Sequence, residues 1–582
     1  MKKALGSIKV LVMIAVLFQA TMPSEGDCCK STVKTCNFSK NLWQPRSFPS
    51  YNLREIYMLK DLYDHPFKHD EWDGTFSYAF EFMQSFDTST PSQNLGAMPF
   101  WSGTNSMTIG NNNGQSDVDA YQFGMGETLS PGVITLSPKA QHFGSDFIMH
   151  FTRYKHDKGF FFKIRTSLGA MTTDSQLCEE PATLENNIDE AWVMYPALGG
   201  RYQSLSEAFT GGTPGDMFVS GTSLNKALTL NYGKISCCKL SSTRLGDLST
   251  TLGFNAFADE HYFFSLGFKA TFPTGTIPTG EFIFEPIFGR AGHWGTGLEA
   301  TGHYKHWISE NEGSAVDVWT QVELMHLSSG RKPSWRSFDL KLNGAGSKYL
   351  LLQFYFPANP SDTNSTGRVP SFITQAINVT TMPVISSFTL EGSLGVIVEY
   401  SKRNWNMSLG VDVWGRTAEC LQIDTCNAVH HGSANLNDFA VLGRQISEDS
   451  RFTNQSPTPF EPLYLCEPLA QIGKSENRVL AQGTPPSGPS SQPDSSSYNT
   501  NKIKDARIAE NRIPEGLYDA LDIAGAAEGR SLNARLSLSG GYAWVKTKHS
   551  PSINVFAGLE FASYDSLRLN MWSLGFNGSL NF

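Results

Sequence analysis

His142, Asp146 and His150 are catalytic residue types at even spacing, while Phe143, Phe147, Met149 and Phe151 take the opposite parity. An imidazole beside a carboxylate is the pairing that activates a serine hydroxyl in a lipase-like site. No motif ties a serine to them. Neither a nucleophile elbow, a phosphate loop, an HExxH helix nor a Rossmann glycine pattern stands out elsewhere. The plainer reading is a hydrated polar strand face, so no catalytic residue is assigned. His65, His69, Asp70 and Glu71 are metal-ligand types, as are His430 and His431, but they read better as exposed polar loop. Asp117 and Asp119 lack the rest of a calcium loop. The nine cysteines at 28, 29, 36, 178, 237, 238, 420, 426 and 466 lack paired zinc spacing. Disulfides are expected of them in an oxidising compartment, with Cys420–Cys426 as the first pair across a short loop. No metal and no cofactor is expected.

What remains is a set of charges at fixed parity. Asp146, His150, Lys163, Arg165, Lys269 and Asp317 each alternate with apolar neighbours, as do Glu323, Glu391, Glu399, Asp412, Arg535 and Glu560. Period-two alternation is the mark of a strand with one polar and one apolar face. Phe76, Tyr78, Phe80 and Phe82 begin the pattern after a Trp72-Asp73-Gly74 turn. Phe160, Phe162, Ile164 and Leu168 follow the tight connection at Lys155–Gly159, and Leu228, Leu230 and Tyr232 read as a further strand. Val316, Val318, Val322 and Leu324 oppose Asp317, Gln321 and Glu323. Phe388, Leu390, Leu394, Val396, Val398 and Tyr400 oppose Glu391, Ser393 and Glu399, then Trp405 to Val413 answer after the turn at 401–404. In water so many apolar faces need a second sheet to cover them; in lipid they need none. The charges would then line a lumen and set its solute preference.

The ends of the chain agree with a membrane destination. Lys2, Lys3 and Lys9 precede an apolar run, Val10–Ala20, of signal-peptide length, and Ser24-Glu25-Gly26 suits cleavage. After it no stretch of eighteen apolar residues occurs, which excludes a helical membrane protein and leaves a barrel or a secreted β-protein. Of 582 residues 52 are glycine, 12% are aromatic and only 17% charged, a composition that suits a barrel with polar lumen positions. The net charge of −9 argues against a nucleic-acid partner. Asn52 and Glu55 have capping-box spacing, and Leu53, Ile56, Leu59 and Tyr63 continue at helical spacing. That short helix would plug the barrel, lie at its periplasmic mouth, or serve only as an ordered leader. Residues 475–505 form a Pro/Ser-rich, low-complexity loop.

The last eleven residues carry the first resemblance. Trp572, Leu574, Phe576, Leu580 and Phe582 share one face and end on an aromatic carboxy terminus. This strand resembles the terminal strand of bacterial outer-membrane β-barrel proteins, with glycine at 578 where that pattern has it at 577. The resemblance implies that these five residues form a signal read by the outer-membrane assembly machinery. The second lies in Gly246–Gly275. Gly246-Asp247-Leu248 opens a hairpin that turns at 258–261 and exits through Pro273-Thr274-Gly275. It resembles a broad group of outer-membrane barrels assigned to transport.

The reading is therefore an all-β fold: a transmembrane antiparallel up-and-down β-barrel of roughly twelve to sixteen strands. Residues 1–26 are the signal peptide, 27–70 a periplasmic segment or plug, and 71–582 the barrel. The expected function is a non-enzymatic pore or passive transporter in the bacterial outer membrane. Its partners would be outer-membrane lipid, the assembly machinery and small solutes. A secreted β-sandwich adhesin or, further off, an outer-membrane hydrolase would be the alternative.

Overall fold

A computed structural model describes residues 46–63, 72–86, 105–110, 117–119, 128–155, 158–181, 183–184, 204–212, 218–219, 222–223, 229–259, 261–309, 313–330, 332–356, 369–425, 439–443, 465–466, 517–544, 551–563 and 569–582. The signal-peptide region, His65, His69, Asp70, Glu71, Leu228, His430, His431, Cys426 and the 475–505 tract lie outside the described residues.

Twelve long strands carry the fold: β1 (Trp72–Ser85), β2 (Lys139–Lys155), β3 (Lys158–Asp174), β4 (Leu248–Ala258), β5 (Tyr262–Phe272), β6 (Trp294–Ile308), β7 (Ser314–Ser328), β8 (Thr381–Lys402), β9 (Trp405–Arg416), β10 (Ser531–Ala543), β11 (Ser552–Ala562) and β12 (Met571–Asn581). Each pairs antiparallel with its neighbour in sequence. β12 closes the ring on β1, with Thr75 opposite Asn581 and Phe80 opposite Phe576. This is an up-and-down barrel without a free edge, at the low end of the expected strand number and not a sandwich. Closure satisfies the backbone of every strand within the wall, which is the condition for crossing lipid.

The two ends of the barrel differ. Connections 156–157, 259–261, 309–313, 403–404 and 544–551 are short and share one end with Phe582. Most connections at the other end are long, and their described parts fold into a cap. The cap contains a small sheet (Ser106–Gly110, Val118–Asp119, Gly132–Thr135 and Cys178–Glu180) and a helix at Leu205–Thr210. Its apolar core includes Ile109, Ile134, Phe209, Phe338, Tyr349 and Phe354, all buried. Cys237 and Cys238 lie on it, exposed, with their thiols 3.5 Å apart.

Parity assigns the two faces of the wall. Leu252 (65% exposed), Phe268 (56%), Leu538 (57%) and Leu574 (53%) point outward, whereas the residues on either side of Phe268, Leu538 and Leu574 are buried. Aromatic residues gather at the short-turn end, among them Trp72, Phe160, Tyr262, Tyr304, Trp405 and Phe582. A second row at the cap end includes Phe143, Phe82 against Trp572 at 5.5 Å, and Phe272 against Trp294 at 5.3 Å. Ten residues separate Trp572 from Phe582, about 34 Å along a strand and about 26 Å across a bilayer at a tilt of ~40°. That matches an apolar band edged by two aromatic girdles.

Three local expectations fail for physical reasons. Leu230 and Tyr232 form no strand: Leu230 is buried in the cap core, Tyr232 stacks on Trp335 at 6.1 Å, and the Asn231 amide donates to the Asn378 side chain at 2.8 Å. Phe388 is fully buried rather than outward, because the β7–β8 register slips between Met325 and Leu327 and turns the lower part of β8 over. Glu55 does not reach back to cap the helix at Asn52; its carboxylate is taken by Lys163 and Arg165 of the wall.

Candidate functional site

The helix α1 (Asn52–Tyr63) and the turn before it, Arg46–Tyr51, lie inside the barrel. Leu53, Ile56 and Leu59 are buried, and so are Arg46, Arg54, Glu55 and Lys60. Room for this plug comes from glycines on the inner face of the wall. A Cβ added at Gly144 would stand 2.9 Å from the Phe48 ring, and one at Gly395 would stand 2.9 Å from Asn52 Cβ. At Gly410 it would meet Leu53 at 3.1 Å. Small residues at these points bring strand and helix into contact.

Polar contacts hold the plug to most of the wall. Arg54 donates to Glu81 of β1 at 2.6 Å and Asp146 of β2 at 3.0 Å, and its guanidinium lies over the Phe48 ring. Glu55 receives Lys163 and Arg165 of β3. Asn52 donates to the Gln321 carbonyl of β7, and Lys60 pairs with Glu399 of β8. Arg46 donates to Asp412 of β9 at 2.6 Å. Tyr57 reaches Ser537 of β10 through its hydroxyl and stacks on Phe556 of β11 at 5.6 Å. Asn577 of β12 donates to the Tyr57 carbonyl at 2.9 Å. Asn577 thus ties the last strand to the plug.

The remaining lumen charges join the same network. Lys163 bridges Glu55 and Glu299, and Lys269 bridges Glu299 at 3.2 Å and Glu323 at 2.7 Å. Arg290 comes down from the cap to Glu323 at 3.1 Å and Glu391 at 3.0 Å. His303 bonds Asp317 at 2.9 Å, Arg535 takes Glu81 and Ser573, and Asn533 donates to Glu560 at 2.5 Å. All twelve residues expected to line the lumen, eleven charged side chains and His150, are buried. Asp146 and His150 do not assemble a relay: Arg54 and Arg165 engage Asp146, and His150 stacks on Phe161 at 5.3 Å.

Sequence reasoning missed Glu81, Glu299, Arg46, Arg54, Lys60 and Arg290. The first two were readable, since Glu81 falls between Phe80 and Phe82 and Glu299 between Leu298 and Ala300. The plug's cations had no such signal, because a helix inside a polar barrel carries charge on several faces.

The cap is fastened by the motif of the fourth strand. A segment at Leu240–Leu245 extends the pairing with β3, and the Gly246 amide donates to the Ser167 carbonyl at 2.6 Å. The one-residue bulge this creates turns Asp247 inward, where it is fully buried. Its carboxylate accepts the amides of Arg290 at 2.6 Å and Gly275 at 3.3 Å, while the Thr274 hydroxyl donates to the Gly246 carbonyl. Gly-Asp-Leu and Pro-Thr-Gly are therefore two halves of one latch on the loop that delivers Arg290. Burial pushes the Asp247 carboxyl up to about 6, against the opposing pull of the Arg290 charge.

No family model matches the chain, and no curated protein matches it. Among solved structures it is similar to an outer-membrane channel of Pseudomonas putida F1, at 7% identity over 89% of this chain and 99% of that chain, with a TM-score of 0.33. It is similar to a FadL homologue of Pseudomonas aeruginosa at 7% identity, over 88% and 90% of the two chains, with a TM-score of 0.24. A variant of the TodX monoaromatic hydrocarbon channel gives 7%, 88%, 89% and 0.27 in the same order. Overlap this slight assigns neither solute nor role.

Chemically, the arrangement is a barrel whose polar inner face is covered by ion pairs to its own N-terminal segment. The helix packs its apolar side chains on the wall, whereas the turn before it reaches the cap: Phe48 stacks on Phe288 at 5.6 Å, and Phe48 and Tyr51 belong to the cap's core. Plug and cap therefore share packing as well as charge.

Proposed function

We propose that this chain is a gated β-barrel of the bacterial outer membrane that passes small solutes when its N-terminal plug moves. The observation that supports this is how the lumen is filled. The wall presents charged and polar side chains inward, and much of what occupies the space between them is a separate segment, Arg46–Tyr63. Ion pairs across that boundary re-form with water or solute when the helix shifts, whereas an apolar plug would gain nothing from a wet lumen. The outward apolar band, the two aromatic girdles and the short turns beside the carboxy terminus favour the outer membrane, with the cap facing outside. Lipid, assembly machinery and solute are the partners this reading requires.

Planar-bilayer recording tests it. Purified, heat-modifiable wild-type barrel should give brief, infrequent openings. A variant carrying Arg54→Ala and Lys60→Ala, which removes two of the plug's cations, should conduct steadily. Folded protein of both kinds with no conductance would instead favour a scaffold or surface-binding role. Ester or phospholipid turnover lost in His150→Ala would point to a hydrolase.

A further inference from the structure

The sequence Asp-Val-Trp occurs on two strands of the wall, at Asp317–Trp319 of β7 and Asp412–Trp414 of β9. In both, the carboxylate and the indole share the inner face and are buried, Trp319 and Trp414 each at 1% exposure. In both, a basic side chain occupies the corner they form. His303 bonds Asp317 at 2.9 Å and stacks on the Trp319 ring at 3.8 Å. Arg46 of the plug donates to Asp412 at 2.6 Å, with its guanidinium 5.9 Å from the Trp414 ring and 4.1 Å from the plug's own Tyr51 ring. A carboxylate set beside an aromatic face is the pairing that recognises an organic cation, through charge and ring quadrupole together. One corner is filled by a neighbouring strand and cannot empty. The other is filled by Arg46, on a segment that the proposed gating would remove, while Arg416 of β9, 5.7 Å from the Trp414 ring, would stay.

The charge balance of the wall favours the same kind of guest. On the twelve strands, nine buried carboxylates face five buried cations, Lys163, Arg165, Lys269, Arg416 and Arg535. The plug's buried charges among the described side chains are Arg46, Arg54 and Lys60 against Glu55, and its sequence adds one further acid, Asp61. Its withdrawal leaves a lumen with an excess of negative charge and takes the Arg46 guanidinium away from Asp412.

We propose that the Asp412–Trp414 corner is a binding subsite for guanidinium- or alkylammonium-bearing solutes, and that Arg46 is the internal mimic that occupies it in the closed barrel. This rests on the gated-pore reading and names the solute class.

The test uses the full-length barrel in detergent with methylguanidinium as probe. Arg46→Gln vacates the corner. Isothermal titration should show one methylguanidinium site in Arg46→Gln, none in wild type, and none in the double variant Arg46→Gln/Asp412→Asn. Adding Trp414→Leu to Arg46→Gln should weaken binding by about tenfold, the scale of a desolvated cation–π contact. Methylguanidinium should also raise the melting temperature of Arg46→Gln and leave wild type unchanged. If Arg46→Gln folds poorly, Arg46→Ser is the second replacement, refolded with and without the probe, and the probe should restore a heat-modifiable barrel. Absence of binding to the vacated barrel overturns the subsite, as does binding that ignores Asp412→Asn. So does a failure of the probe to restore folding in either replacement. Conductance is read separately. A conducting barrel with no methylguanidinium site leaves the pore and removes the subsite; a saturable site in a barrel that never conducts removes the pore.

Discussion

Gly395→Val should force the gate. Gly395 faces the lumen on β8, and a Cβ there would stand 2.9 Å from Asn52 Cβ and 3.5 Å from the Leu53 amide nitrogen. Carbon atoms pack best at about 3.5–4.0 Å, so the start of α1 would have to withdraw by roughly 0.6–1.1 Å. Asn52 Cβ is one bond from the helix backbone and cannot rotate away. Overpacking of this kind costs about 1–3 kcal/mol, and the wall, whose ladder hydrogen bonds are untouched, should not absorb it. The cost falls on the closed state. Each 1.4 kcal/mol is a factor of ten, so the open fraction should rise by about 5- to 150-fold. Valine itself suits a strand. Gly540→Val is the control, since Gly540 lies on the outward side of β10 and a Cβ there meets nothing nearer than the Asn406 carbonyl at 3.8 Å. Single-channel recording should show raised open probability for Gly395→Val alone, with heat-modifiability unchanged in both. Equal open probability in Gly395→Val and wild type, with both barrels folded, would refute the idea that helix position controls passage.

Arg54→Met removes the shared partner of Glu81 and Asp146 and leaves buried carboxylates short of a cation. It should destabilise the plugged state by about 3–5 kcal/mol, seen as a lower melting temperature and faster proteolysis of the plug segment. Asp247 gives a pH signature. Its carboxyl is held near 6, above its unfolded value, so its protonation favours the fold: this contribution is full at low pH and is lost as pH rises through about 4 to 6. The contribution lost is about 3 kcal/mol, the free-energy equivalent of a roughly hundredfold difference in proton affinity between the folded and unfolded chain. Asp247→Asn should therefore flatten the fall in melting temperature between pH 4 and 6; an unchanged slope would contradict the assignment. Deleting Phe582 removes an exposed interfacial ring, 50% exposed, and two backbone bonds to Gly74. Burial accounts for only about 1–3 kcal/mol, so the refolded barrel should melt nearly as wild type while the amount inserted in cells falls. Normal cellular levels would refute its role in assembly.

The wall was legible because a barrel strand keeps one rule along its whole length. Leu536 and Leu538 must meet lipid and Arg535 and Ser537 must not, so parity alone assigns them. The rule fails where the ladder slips: Phe388 looks outward by counting from Leu394, but the register shift beside Met325 intervenes. Two residues further along the chain the count is right again. The plug obeys no such rule. Arg54 and Lys60 read as the solvated face of an ordinary helix, because nothing in their spacing says that the solvent has been replaced by a charged wall. The inward glycines held the missing information: Gly144, Gly395 and Gly410 leave gaps on a face that otherwise carries side chains, and a gap facing a lumen has to be filled by something.

The hairpin motif shows why resemblance reached the architecture and stopped short of the solute. Gly246 accepts the close approach of the Ser167 side chain, where a Cβ would overlap its hydroxyl oxygen. Asp247 then holds two backbone amides of the following loop, and Thr274 closes back on Gly246. Each of these contacts engages backbone of the latch, at Gly246, Gly275 or Arg290. The motif fixes where a loop folds inward and leaves open what that loop presents. On the gated-pore proposal, solute preference would rest with side chains placed by the latch or facing it: Arg290 at the end of the loop, Glu323 and Glu391 on the wall, and the Asp412–Trp414 corner beside the plug. On that proposal, a change in the latch should alter how firmly the lumen is closed before it alters what the lumen prefers.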